Sequence, residues 1–235
     1  MTSLNQYCKA IKLNPSTKLE NLFVFSLLIF ISLLFIIFPN IDLEIADVFY
    51  TTQGWYLNTY WAFILKHAIS VMSAIFIIGA GILCTSLRLK NEYKTKVRFL
   101  FLAMLIGPGL FVNFGFKDHW GRARPGQLVQ FGGEKYYTAP LQRSNECKKN
   151  CSFVSGHAAM GYSLIFLAAI TESRLIWLMG GVTAGLLIGL LRMLQGGHFL
   201  SDVLFAFFPV WISMELIILF MWIVYRFKER QTKLL

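Results

Sequence analysis

Arg192, His198 and Asp202 share the stretch Leu191 to Asp202, LRMLQGGHFLSD, and their types and spacing suit phosphate chemistry. His198 and Asp202 are four residues apart, so one helical turn brings them together. An imidazole held at one nitrogen by a carboxylate is oriented, and its other nitrogen becomes a better nucleophile or base. Arg192 offers a planar fork that matches a phosphate or carboxylate. Alone, the trio reads more simply as a surface cluster at a helix end.

Its weight comes from two further clusters. Lys117 and Arg124 stand in KDHWGRARP, and Ser155, Gly156 and His157 stand in FVSGH. Singly, each has an ordinary explanation: snorkelling cations, a helix cap, a satisfied buried histidine. Together they make a phosphoryl-transfer site. Lys117, Arg124 and Arg192 neutralise the equatorial oxygens of a phosphate. Ser155 and the Gly156 N–H add donors at a helix N-terminus, where the dipole favours an anion. One of His198 and His157 attacks phosphorus and the other protonates the leaving oxygen. No clustered Asp/Glu pattern suggests a metal, and no cofactor is expected.

These residues must be positioned by membrane helices. The 235-residue chain is 56% hydrophobic, with mean hydropathy +0.58, too apolar for an ordinary soluble domain. We expect an all-α, polytopic membrane protein of one domain, residues 1–235, with transmembrane helices at 22–38, 61–87, 99–116, 153–170, 175–194 and 200–224. Pro108 should kink the third helix. Gly181, Gly185 and Gly189 form a stripe for close helix packing. Tyr50, Trp55, Tyr56, Tyr60 and Trp61 read as an interfacial aromatic belt. The polar first twenty residues are not expected to be a cleavable signal peptide.

Charge sets the orientation. Six spans put residues 1–20, the basic 88–98 loop, the 171–174 loop and the 225–235 tail on one side, and the positive-inside rule makes it the cytoplasm. The 39–60 segment, the long 117–152 loop and the Gly196-Gly197-His198 turn then face the other side, which in a bacterium is the periplasm. There Cys147 and Cys151 are placed to form a small disulfide, with a pair of free thiols as the alternative, whereas Cys8 and Cys84 face the reducing side. The net charge of +10 suits anionic lipid, and no Lys/Arg stripe interleaved with exposed aromatics points to nucleic acid. No obligate protein partner is evident.

The order K-x6-R-P, then S-G-H, then R-x5-H-x3-D resembles the type 2 phosphatidic acid phosphatase superfamily over roughly residues 97–224. The resemblance implies its six-helix membrane fold and a metal-independent lipid phosphatase. It implies that His198 is the nucleophile forming a phosphohistidine, that Asp202 orients it and that His157 is the general acid. Lys117, Arg124, Ser155, Gly156 and Arg192 would bind the phosphate. Val154 and Leu191 depart from the usual proline and serine, and neither departure removes a group with an assigned chemical role. The runs GRARPGQLVQFGG, CKKNCSFVSGH and RMLQGGHFLSD further resemble the lipid A 4′-phosphatase branch, implying a lipid A substrate at the periplasmic face of the inner membrane.

Undecaprenyl pyrophosphate, phosphatidylglycerol phosphate, phosphatidic acid and the lipid A 1-phosphate are the alternative substrates. A lipid phosphotransferase shares the phosphohistidine step. A lipid-binding or carrier protein is the non-enzymatic alternative, but no inverted repeat points to it. Asp118, His119 and Arg122 are candidates for head-group selectivity, and Lys66 and His67 for an extra head-group contact. Lys135, Arg143, Lys148 and Lys149 could attract an anionic glycolipid. Glu215, deep in the last helix, needs a partner.

Overall fold

Helices dominate a computed structural model of the protein, which describes residues 13–57, 59–85 and 90–232. Expectations for Cys8, for the 86–89 end of the second helix, for the 233–235 end of the tail and for the side chains of Trp61 and Lys66 lie outside what it describes. Helix α1 (Lys18–Ile37) starts on a capping box: Glu20 N donates to Thr17 Oγ1 at 3.1 Å, and Thr17 N donates to Glu20 Oε2 at 2.6 Å. Its 20 residues extend about 30 Å, enough to span a bilayer.

A cap follows. Helix α2 (Ile41–Val48) leads into a hairpin of β1 (Tyr50–Thr51) and β2 (Gly54–Trp55). Tyr50, Trp55 and Phe131 pack edge to face with centroids 5.2–5.3 Å apart. Two members of the expected aromatic belt therefore pack into a small apolar cluster with Ala123, Leu128 and Phe199. Tyr56 and Tyr60 stay exposed.

Helix α3 (Tyr60–Thr85) precedes α4 (Asn91–Met104), and α4 continues as a π-helix over Leu105–Phe116. Pro108 explains the change. Its ring collides with the carbonyl of residue i−4, Met104, where the α-winding ends. The chain widens its turn there, and Lys117 N bonds Val112 O, five residues back, at 3.2 Å. Pro108, Asn113 and Lys117, spaced by five and four, consequently share a cavity wall.

Helix α5 (Gly156–Tyr162) continues as a 3₁₀ helix over Ser163–Ala169. Then come α6 (Arg174–Leu194), α7 (Leu200–Phe205) and α8 (Phe207–Thr232). The last expected span is thus broken at Ala206, because Pro209 collides with the carbonyl of Phe205.

Among the described residues, five stretches are long and apolar enough to cross a membrane: Lys18–Ile37, His67–Thr85, Glu92–Phe116, Arg174–Leu194 and Leu200–Phe227. The sixth expected span is the shorter Gly156–Ala169. Seven α-residues at ~1.5 Å and seven 3₁₀ residues at ~2.0 Å reach about 25 Å, against ~30 Å of hydrocarbon. This helix is shielded by its neighbours. A Cβ on Gly161 would lie 2.7 Å from Gly185 Cα, so α5 and α6 meet backbone to backbone. Outward residues such as Phe23, Ile36 and Ile78 are more than 60% exposed, a surface suited to lipid rather than water. The protein is a multi-pass membrane protein.

At the end away from the cap, the chain before α1 closes the bundle. Arg174 pairs with Glu20 at 2.9 Å, Arg174 Nη1 donates to Asn14 O at 2.8 Å, and Ser16 N donates to Glu215 Oε1 at 3.3 Å. Glu215 thereby finds its partner far from the polar clusters.

Candidate active site

The 117–152 loop, although polar, is ordered by main-chain bonds. Ser144 N donates to Trp120 O, Cys147 N to Gly121 O, Cys151 N to Lys117 O and Ser152 N to Arg122 O, all at 2.9–3.1 Å. A disulfide joins Cys147 and Cys151, with Cα atoms 5.6 Å apart. Between them, Asn150 takes a left-handed φ of 53° and faces the cations. Arg124 Nη2 donates to Asn150 O at 2.9 Å and to Asn150 Oδ1 at 3.0 Å, and Lys117 Nζ donates to the same Oδ1 at 3.4 Å.

The Gly196-Gly197 turn brings α6 against this loop. Gly196 has φ +63° and lies flat against Trp55, where a Cβ would sit 2.3 Å from the indole. A Cβ on Gly197 would lie 2.3 Å from Arg192 Nη2. The two glycines thus leave room for an indole on one side and a guanidinium on the other. Arg192 is buried, hydrogen-bonded through Nη1 to Gln195 Oε1, with its Nε unpartnered.

His198 follows this turn. It is buried, and neither ring nitrogen has a hydrogen-bond partner among the described residues. Its Nδ1 lies 3.5 Å from Asp202 Oδ2, beyond ordinary hydrogen-bond length. Burial holds the imidazole neutral, pushing its pKa down to about 3; Asp202 opposes this, and Arg124 and Lys117 add to it. A neutral ring is what a nucleophile requires. Burial, reinforced by Arg124 and Arg192, likewise lowers Lys117 to about 8.

Across the mouth, Ser155 caps α5, accepting from Ala158 N at 3.3 Å, while Ser155 N donates to Asp202 O at 2.8 Å. A Cβ on Gly156 would meet Lys117 Nζ at 3.1 Å, so glycine leaves the lysine its place. His157 Nε2 lies 3.5 Å from Ser70 Oγ on α3. A cavity of about 320 Å³ opens here, polar at Lys117, Asn113 and His157, apolar at Ile69, Ile77 and Met160. A second of about 240 Å³ shares Ser73 and Met160 with it and continues along apolar walls. Lys117, Gly156 and His157 line this cavity; Arg124 joins Lys117 through Asn150, Ser155 and His198 adjoin Asp202 in the buried layer, and Arg192 packs against Gly197.

Behind Asp202 lies a network that spacing did not reveal. Arg122 is fully buried, donating from Nη1 to Asp202 Oδ1 and Ser201 Oγ, from Nη2 to Asp42 Oδ2, each at 2.8 Å, and from Nε to Thr138 O at 2.9 Å. Its guanidinium stacks 4.2 Å over Phe199. Burial works against its charge, but Asp202 and Asp42 hold it charged. Burial pushes the Asp42 carboxyl up, and Arg122 opposes this. Arg122, expected near the head group, instead faces inward because two buried carboxylates claim it. Asp42 Oδ1 accepts from Ser201 N at 2.9 Å, and Ser201 Oγ donates to Asp42 Oδ2. Asp202 Oδ2 accepts from Ser152 Oγ and, at 2.8 Å, from Phe199 N. The only signal for Asp42 was acidity in a segment without basic residues.

Other candidates lie apart. His119, Lys135, Arg143, Lys148 and Lys149 are exposed, as is His67, while Asp118 Oδ1 accepts from Asn150 N at 3.1 Å. Among the described residues, no group of three His, Cys, Asp or Glu is placed to hold a metal ion.

The profile of the PAP2 superfamily matches residues 95–229. The chain is 37% identical over 210 residues to a lipid A 4′-phosphatase of Francisella tularensis subsp. novicida, covering 84% of this chain and 90% of the relative. It is 40% identical over 114 residues to a lipid A 4′-phosphatase of Rhizobium etli, covering 48% and 44%, and 36% identical over 124 residues to one of Rhizobium leguminosarum, covering 52% of each. No solved structure matches the chain. The mouth of histidines and cations, set in membrane helices, and these matches together show that the chain belongs to the PAP2 superfamily and is a phosphoric monoester hydrolase.

Proposed function

We propose that this protein removes the 4′-phosphate of lipid A through a phosphohistidine, at the periplasmic face of the inner membrane with both termini in the cytoplasm. The observation that carries the reading is His198: buried, 3.5 Å from Asp202, with Lys117 and Arg124 close enough to act on its charge and Arg192 packed against the neighbouring Gly197. His198 Nε2 attacks phosphorus, forming a P–N bond as the bond to the sugar oxygen breaks, and His157 gives that oxygen a proton. His157 then takes a proton from water, whose oxygen attacks phosphorus, and the P–N bond breaks to release phosphate and neutral His198. The three cations stabilise the charge on the phosphoryl oxygens throughout, in place of a metal.

A lipid fits because the cavity joins a cationic end to apolar walls. A further apolar cavity of about 450 Å³, bounded in part by Trp120, Phe153 and Phe208, gives room for a second acyl chain. The names of the relatives support the 4′ position. The test is mass spectrometry of lipid A from cells with and without the chain. Loss of one phosphate from the non-reducing sugar, abolished by His198→Ala and insensitive to EDTA in membranes, is the expected result. Lipid A unchanged by the native chain would overturn the substrate, and an active His198→Ala the mechanism.

A further inference from the structure

Asp42 touches neither His198 nor the phosphate-facing cations, and it lies outside residues 95–229, the segment shared with the superfamily. It is nonetheless fully buried: its Oδ2 accepts from Arg122, which also bonds Asp202, and Ser201 bonds both of its carboxylate oxygens. We propose that Asp42 is a positioning residue for the reaction: by occupying the second arm of Arg122, it keeps Asp202 directed at His198.

The argument is geometric. A guanidinium facing one carboxylate prefers a two-pronged pair that engages both oxygens. In such a pair Arg122 would draw in Asp202 Oδ2, the oxygen facing His198 Nδ1. Instead Nη2 goes to Asp42 and only Nη1 reaches Asp202, through Oδ1. Oδ2 is left for Phe199 N, Ser152 Oγ and the imidazole. Ser201 locks the arrangement, accepting from Arg122 with its hydroxyl while its N–H and O–H both bond Asp42.

Charge points the same way. One guanidinium shared by two carboxylates leaves the trio with a single net negative charge beside His198. That charge supports the positive charge the ring develops as it takes the phosphoryl group. Without the Asp42 charge, Arg122 neutralises Asp202 outright.

The inference rests on the proposed roles of His198 and Asp202, and its test separates the two. Full-length Asp42→Asn is purified in detergent and assayed for phosphate release from a short-chain lipid phosphate, with inorganic phosphate as a competitive probe of the cation pocket. We expect kcat to fall about tenfold or more, with KM and phosphate inhibition unchanged within about twofold, since the cations are untouched. Asp42→Asn added to Asp202→Asn should cost nothing further, because both act through one group. Loss of kcat and phosphate binding together, or a full additional loss in the double variant, would mean a merely structural role and overturn the proposal. Should Asp42→Asn fail to fold, Ser201→Ala, which removes only the hydroxyl bridge, is read instead, with about a threefold loss in kcat alone expected and none overturning. An inactive His198→Ala beside a fully active Asp42→Asn sinks this inference only; an active His198→Ala sinks the reading beneath it.

Discussion

The two sides of Asp202 are built on opposite terms. On the inner side, Arg122 makes four hydrogen bonds to side chains and main chain with no exposure to solvent. On the mouth side, Arg192 Nε and His198 Nε2 are buried without partners among the described residues, and Lys117 and Arg124 share the one amide oxygen of Asn150. The inner side is complete by itself. The mouth crowds like charges and leaves donors unmet, an arrangement that an anion completes. Satisfied polar groups hold a scaffold rigid, and unsatisfied ones mark where a ligand belongs.

Substituting the two neighbouring arginines is the strongest test of this contrast. Arg122→Ala strips two buried carboxylates of their partner and should cost about 3–5 kcal/mol of stability, seen as a large drop in melting temperature. Arg124→Ala should leave melting nearly unchanged while kcat/KM falls about 10²–10³-fold. Equal losses of stability would erase the distinction between the two sides.

A pH profile sharpens it. Lys117 is lowered to about 8, first by burial and then by Arg124 and Arg192, so it is charged below that pH and neutral above it. Phosphate binding should weaken as pH rises, and kcat/KM should decline through about pH 8 by roughly tenfold. In Lys117→Arg the alkaline limb should vanish, because arginine keeps its charge there. A limb that persists in this variant would assign it to another group.

The smallest effect is expected at the disulfide. Its loop closes over a sequence separation of four, so removing it should cost only about 2 kcal/mol. Cys147→Ser/Cys151→Ser should raise KM a few-fold by loosening Asn150 between Lys117 and Arg124, with kcat unchanged. A fall in kcat without change in KM would place the loop on the inner side instead.

The mouth was legible because its groups come in short motifs at helix ends, and local spacing survives folding. Lys117, Ser155, His157, His198 and Asp202 could all be named from sequence, and hydropathy marked the helices. The inner side was illegible for the converse reason. Asp42, Arg122 and Ser201 belong to distant segments with no periodicity between them, and Arg122, two residues before Arg124, reads as a head-group contact rather than an inward-facing one. The winding of the helices was half legible. Pro108 announced a disturbance, but that the chain would widen into a π-turn depended on packing; the break at Ala206, ahead of Pro209, falls within a span expected to run unbroken over 200–224. Trp55 read as an interfacial aromatic because nothing local showed that Gly196 would lie beneath it.

The pairing of Asp42 with Arg122 and Asp202 also bears on how the molecule is made. Eighty residues separate Asp42 from Arg122, and another eighty separate Arg122 from Asp202. Chains emerge N-terminus first, so Asp42 is synthesised long before the helix that will shelter it. Burying its carboxylate unpaired would cost several kcal/mol, so it stays hydrated until both partners arrive. The segment carrying Asp42 therefore closes only once Arg122 and α7 are in place, and a chain interrupted before Asp202 keeps that face open to water.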